Sequence, residues 1–126
     1  MYLIDTNIFL EILLNQTKKD QCKEFLGSHI EELSISDFSL HSIGVILFRN
    51  NQEASFEDFI GDLFADVRIF TLPKESYKKL PRIKKEFRLD FDDAYQYGAV
   101  KTHGLQLVTM DLHFRNIKDD NNITFI

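Results

Sequence analysis

The chain has 126 residues, 44% of them hydrophobic, with 12 Phe, a single Cys and a formal net charge of −5. That length suits one domain that buries its own core without disulfide or metal staples, and the composition excludes a disordered chain or a disulfide scaffold. The acidic balance is the wrong global sign for a nucleic-acid partner, which would need bound cations or a local basic patch to approach.

Tyr2-Leu3-Ile4 reads as a short buried strand ending at Asp5. From Asn7 to Leu14 the pattern is helical, with Asp5 or Thr6 available as the cap. No basic region precedes Asp5, so the N-terminus does not read as a signal peptide. The apolar run from Ile8 to Leu14 is broken by Glu11 and is too short to span a bilayer, so a cytoplasmic location is expected. Gln16 to Leu26 reads as a second helix stopped near Gly27, with Cys22 as a buried structural thiol. Leu33-Ser34-Ile35 is a strand, and Ser36-Asp37 offers the cap for an apolar helix from Phe38 to Phe48. Ser55 caps the next helix, which places Phe56, Phe59, Ile60, Leu63 and Phe64 on one face. Core packing is the preferred reading of those phenylalanines over an oligomer or partner surface. Val67 to Leu72 is a strand stopped by Pro73, and a basic helical stretch covers Glu75 to Phe87. Phe91 to His103 is a helix entered through Asp92-Asp93 and left through Gly104; Ala94 and Gly98 on it are small residues that let it approach the sheet. Leu105 to Thr109 is a strand leading to Asp111, and Ile123 to Ile126 is the last strand.

Strands and helices alternate from end to end. That order predicts one α/β domain over residues 1–126, in three layers: a central parallel sheet of four to five strands with helices on both faces.

Three acidic positions stand out by location. Asp5 and Asp111 follow strands, and Asp93 lies in the first turn of a helix. In open parallel sheets ligands bind beyond the carboxyl ends of the strands. Each Asp alone also reads as a helix or turn cap. Carboxylates brought within about 4–6 Å raise one another's pKa, and a divalent cation relieves that repulsion. Oxygen-only ligands favour Mg²⁺ or Mn²⁺. No side chain reads as a covalent nucleophile: Cys22 lacks a His partner, and the histidines show no metal-binding spacing.

Leu3-Ile4-Asp5-Thr6-Asn7, Leu89-Asp90-Phe91-Asp92-Asp93-Ala94 and Val108-Thr109-Met110-Asp111-Leu112-His113-Phe114 together resemble the PIN-domain family, most closely its VapC-like ribonuclease toxins. The resemblance covers nearly the whole chain in order and length. It implies a metal-dependent ribonuclease that hydrolyses RNA phosphodiester bonds, often dimeric, with an antitoxin blocking its active site. It also implies that Asp5, Asp93 and Asp111 are the catalytic, metal-holding aspartates, with Thr109 and Asn7 supporting them. Asp92, beside Asp93, is a further candidate ligand.

Two positions depart from the family pattern. Ser42 stands where a helix usually carries Glu, and His113 stands where a second acid often follows the last metal-site Asp. Asp37 does not replace the missing Glu, being five residues and roughly 7.5 Å of helix rise away. His113 would ligate a softer ion such as Mn²⁺ or contact phosphate. These departures support an alternative reading, a degenerate PIN module that binds RNA or protein without cutting. Haloacid-dehalogenase phosphatases and receiver domains also place acids at strand ends, but their second acids fall elsewhere: Asn7 occupies the position a phosphatase needs.

Lys74 to Arg88 reverses the overall charge. Lys78, Lys79, Arg82, Lys84, Lys85 and Arg88 read either as a solvated face or as a track for RNA phosphates. Tyr77, Tyr95 and Tyr97 are candidates for base stacking, with core packing preferred for Tyr95.

Overall fold

The structure is a computed structural model; it describes residues 1–117 and 120–126, with the side chain of residue 64 outside the described set. Five strands, β1 (Tyr2–Ile4), β2 (Leu33–Ser36), β3 (Arg68–Phe70), β4 (Gln106–Thr109) and β5 (Ile123–Phe125), form one sheet in the order β3-β2-β1-β4-β5. Every pairing is parallel, with Leu3 opposite Leu107, Ile4 opposite Val108 and Ile35 opposite Ile69.

Pleating sends successive side chains to opposite faces, and both faces are covered. Leu3 and Leu107 pack with Leu72, Leu80, Leu89, Ala99 and Val100 under α5 (Lys74–Tyr77), α6 (Leu80–Phe87) and α7 (Phe91–His103). Ile4, Ile35 and Val108 pack with Ile8, Phe9, Cys22, Ile43, Leu47 and Phe59 under α1 (Thr6–Leu13), α2 (Lys19–Ser28), α3 (Asp37–Arg49) and α4 (Glu53–Phe64). Burial on both sides explains the unbroken apolar run of β1; β2 alternates Leu33-Ser34-Ile35-Ser36 yet is buried throughout, with Ser34 Oγ donating to the Tyr2 carbonyl. The chain leaves β1 toward β2 on one side and returns as β4 on the other. The carboxyl ends of β1 and β4 therefore flank the switch point of the sheet.

Several boundaries differ from the sequence reading. The second helix starts at Lys19 rather than Gln16, because Glu11 holds the preceding turn: its backbone oxygen accepts from Gln16 N and its Oε1 accepts from Lys18 N at 2.8 Å. α2 continues through Gly27, whose exposed position asks nothing of a side chain. α4 starts at Glu53 after Gln52, ahead of Ser55. β3 is shorter than Val67–Leu72, as befits an edge strand with one neighbour and two exposed residues. The basic stretch breaks in two at Lys78-Lys79, since Pro81 lacks an N–H and fits only a first turn. Asp90, not Asp92, caps α7, its side chain accepting from Asp93 N at 2.9 Å. Gly98 serves an approach to α6 rather than to the sheet: a Cβ there would lie 3.1 Å from Leu80 Cδ2.

Phe59 is core, edge-on to Phe9, while the Phe64 side chain lies outside the described residues. Cys22 is fully buried. Among the described residues no helix is long and apolar enough to cross a membrane.

Candidate metal centre

Asp5 leaves β1 in extended conformation and does two jobs. Its Oδ1 caps α1 by accepting from Thr6 N at 2.8 Å, and its backbone N–H donates to the Val108 carbonyl, tying the ends of β1 and β4 together. Two side chains also hold the carboxylate. Thr109 Oγ1 donates to Oδ2 at 2.6 Å and Gln96 Nε2 donates to Oδ1 at 3.1 Å. Gln96 is itself held: its Nε2 donates to Ser39 Oγ at 2.7 Å and its Oε1 accepts from Ser36 Oγ at 2.7 Å. Thr6 Oγ1 donates to the same Ser39 oxygen. A buried polar network of this kind is worth having only when every member is satisfied, and this one joins β1, α1, α3 and α7 around one carboxylate. Burial pushes the Asp5 carboxyl up from its ordinary value, and the donors from Thr109, Gln96 and Thr6 pull it back.

Asp93 sits in the first turn of α7 and is 7% exposed. Its Oδ2 is buried and accepts no hydrogen bond among the described residues; His113 Nδ1 stands 3.5 Å away, too far for one. Burial pushes the Asp93 carboxyl up to about 7, with Asp111, Asp90 and Asp5 adding repulsion and His113 opposing it. Asp111 follows β4 with its N–H donating to Thr109 Oγ1 at 2.9 Å, so one threonine hydroxyl bridges Asp5 and Asp111. Asp111 Oδ1 accepts from the His113 N–H at 2.9 Å and lies 3.2 Å from His113 Nδ1. One donor atom each from Asp93, Asp111 and His113 falls within 4.8 Å of the others.

Asp5, Asp93 and Asp111 open on a cavity of about 420 Å³. One side is acidic: Asp5, Asp90, Asp92, Asp93 and Asp111. The other is α3, which presents Phe38, His41, Ser42, Val45 and Ile46, and no carboxylate. An orphaned buried carboxylate oxygen, repelled by three neighbouring acids and set among oxygen and imidazole donors, fits a divalent cation. A proton or a cation is what neutralises such an atom, and the raised carboxyl of Asp93 shows the cost of leaving it charged and unpaired.

The structure thus brings Asp5, Asp93 and Asp111 to one rim, with Thr109 between two of them. Asp92 faces the same cavity but is exposed and outside the close group; burial and Asp90 push its carboxyl upward. Asn7 acts on the other strand end, its Oδ1 near Met110 N at 3.4 Å. Ser42 lines the α3 wall, and Asp37 lies outside this cavity in the neighbouring groove. Lys78, Lys79, Arg82, Lys84, Lys85 and Arg88 line no part of the acidic cavity. Lys78, Arg82 and Lys85 share a depression of about 560 Å³ on α5 and α6. Arg88 ends α6, the helix that carries Arg82 and Lys85, two residues before the α7 cap Asp90. Tyr95 and Tyr97 are buried and bonded within the protein: Leu72 N–H donates to the Tyr95 hydroxyl, and Tyr97 donates to Asp120. Tyr77 is exposed but packs edge-on against Tyr95.

Sequence reasoning missed Gln96 and Ser39, and the part that Ser36, Thr6 and Asp90, read there as caps or motif residues, play around the carboxylates. Spacing could have flagged two of them: Gln96 follows Asp93 by three residues, on the same side of its helix, and Ser36 precedes Ser39 at cap spacing.

A family model describing the PIN domain matches residues 2–120. No curated protein matches the sequence. Among solved structures, the chain is similar to a toxin–antitoxin complex from Klebsiella pneumoniae, at 18% identity over 98% of this chain and 96% of that one, with a TM-score of 0.77. It is similar to VapC20 of Mycobacterium tuberculosis, a toxin that cleaves the sarcin-ricin loop, at 16% identity over 91% and 93% of the two chains, TM-score 0.77. FitAcB from Neisseria gonorrhoeae gives 19% identity over 92% of both, TM-score 0.73. At these identities the likeness is one of fold.

Proposed function

Since the chain belongs to the PIN domain family, we propose that it is a metal-dependent ribonuclease that hydrolyses RNA phosphodiester bonds and acts as the toxin of a toxin–antitoxin pair. The observation that carries this reading is Asp93 Oδ2, a buried oxygen without a hydrogen-bond partner among the described residues, in one cavity with Asp5 and Asp111. Structural neighbours that include toxin–antitoxin complexes support the biological role.

Asp93 and Asp111 would hold Mg²⁺ or Mn²⁺ directly, with Asp5 and Asp92 beside them. Bound there, the cation supplies Lewis acidity toward a phosphodiester and the positive charge that lets an anion enter an acidic protein. The protein's own contribution is positioning. Thr109 and Gln96 fix Asp5, and the backbone of the Thr109–His113 turn fixes Asp111, so the carboxylates are preorganised before substrate arrives. The α3 wall offers an apolar and hydroxyl surface to the nucleoside flanking the scissile phosphate. The cations of α5 and α6 attract the RNA backbone toward Arg88 and the rim. An antitoxin and a second copy of the chain are the protein partners this reading expects.

A second reading keeps the binding and drops the cleavage. It is favoured by the α3 wall, where Ser42 contributes a hydroxyl and not a carboxylate, and by His113 among the acids. Cleavage of single-stranded RNA by purified protein decides between them, run with and without Mn²⁺ or Mg²⁺ beside Asp5→Asn. The nuclease reading expects metal-dependent cutting that the variant loses. Equal activity in both proteins marks a contaminant and leaves the binding module standing.

A further inference from the structure

This inference rests on the metal-dependent reading above and concerns which ion the site takes. His113 lies in the short 3-10 turn after β4, two residues beyond Asp111. Its own N–H donates to Asp111 Oδ1, which folds the turn back and sets the ring over the carboxylates. Nδ1 then stands 3.2 Å from an Asp111 oxygen and 3.5 Å from an Asp93 oxygen, facing two acids carried by separate elements. The Asp93 oxygen it faces is the buried one that accepts no hydrogen bond among the described residues. Three donors within 4.8 Å of one another can share one ion, since bonds of about 2.0–2.2 Å place neighbouring ligand atoms roughly 3–4 Å apart.

We propose that His113 Nδ1 is the third protein ligand of the cation held by Asp93 and Asp111, and that this imidazole biases the site toward Mn²⁺ and away from Mg²⁺. Mg²⁺ demands oxygen and keeps its waters, whereas first-row transition ions accept imidazole. No carboxylate on α3 counterweighs the nitrogen, because Ser42 faces the cavity instead. The His113 side chain is 69% exposed, so the ring leaves the outer coordination positions open to water and substrate.

The test uses purified full-length protein and the metal alone, without RNA. Mn²⁺ and Mg²⁺ affinities are read from thermal shift, and directly bound ¹⁴N is read from electron spin-echo modulation of the Mn²⁺ complex. Mn²⁺ should bind about tenfold or more tightly than Mg²⁺ and carry nitrogen modulation. His113→Asp, at an exposed position that the fold does not need, should keep Mn²⁺ binding, lose the nitrogen signal and narrow the Mn²⁺/Mg²⁺ ratio. His41→Ala, at the histidine on the α3 wall of the cavity, should change neither. A native complex without nitrogen modulation, a signal that survives in His113→Asp, or an unchanged ratio between native protein and His113→Asp would each overturn the proposal. RNA cleavage in Mn²⁺ that continues despite any of these results would leave the nuclease reading intact. Nitrogen coordination without cleavage would sink that reading alone.

Discussion

Replacing Asp93 with Asn should make the metal-free protein more stable at neutral and alkaline pH, although it removes a residue of the proposed active site. Holding a carboxyl at about 7 instead of 3.8 represents about 4 kcal/mol of penalty on its ionised form, at 1.36 kcal/mol per pKa unit. Asp111, Asp90 and Asp5 share in that repulsion and the surroundings relax, so we expect the single substitution to recover roughly 2 kcal/mol, or about 8 °C in Tm for a domain of this size. The sign follows from linkage. The native state holds the Asp93 proton more tightly than the unfolded chain, so native stability falls as pH rises from about 4 to about 7 and then levels off. Asp93→Asn has no such loss; its melting temperature should match the native one near pH 4 and exceed it by the full amount at pH 8. Thermal melts in chelator across that range measure the gap. Adding Mn²⁺ at pH 8 should then stabilise the native protein and leave the variant unmoved. A variant that melts at or below the native protein at pH 8, or a gap independent of pH, would refute the reasoning.

Thr109→Val keeps the shape of a side chain that donates to Asp5 and accepts from Asp111 N. It should cost about 1–3 kcal/mol in urea unfolding and lower RNA cleavage at least about tenfold; native-like values of both would show that the bridge does not position the acids. Asp90→Asn retains a capping oxygen for Asp93 N while removing one of the charges that raise Asp93, so NMR titration should move the Asp93 midpoint below about 7. An unmoved midpoint would mean that Asp90 exerts no field there. Replacing Lys78, Arg82 and Lys85 together with Ala should weaken RNA binding and flatten the slope of log affinity against log salt by about 2, since each neutralised phosphate on a single strand contributes roughly 0.7. An unchanged slope would assign these cations to a solvated face.

What could be read from the sequence was whatever one segment announces by itself. Apolar triplets such as Tyr2-Leu3-Ile4 mark strands buried on both faces, and alternation with helices implies a parallel sheet, so Asp5 and Asp111 could be placed at strand ends. The bonds that make the site were not legible, because they join distant segments. Its spacing of three from Asp93 is the one local hint that sets Gln96 apart from a surface glutamine; its bonds exist because α7 passes between Asp5 and the start of α3. The run Asp90-Phe91-Asp92-Asp93 offers two caps, and the choice is made by helix rotation: Ala94 and Tyr95 face the core, Phe91 is left 57% exposed, and Asp90 receives the Asp93 N–H. Pro81 did announce the break in the basic stretch, but the charge pattern across it suggested one continuous helix.

The central claim is that acids far apart in the chain share a bound cation at the β1–β4 end of the sheet. Crystals grown with Mn²⁺, with data collected for anomalous scattering, test it most directly. The account predicts a strong peak within bonding distance of Asp93 and Asp111, on the cavity side of Asp5. Well-diffracting crystals saturated with Mn²⁺ that show no peak among those three side chains would contradict it.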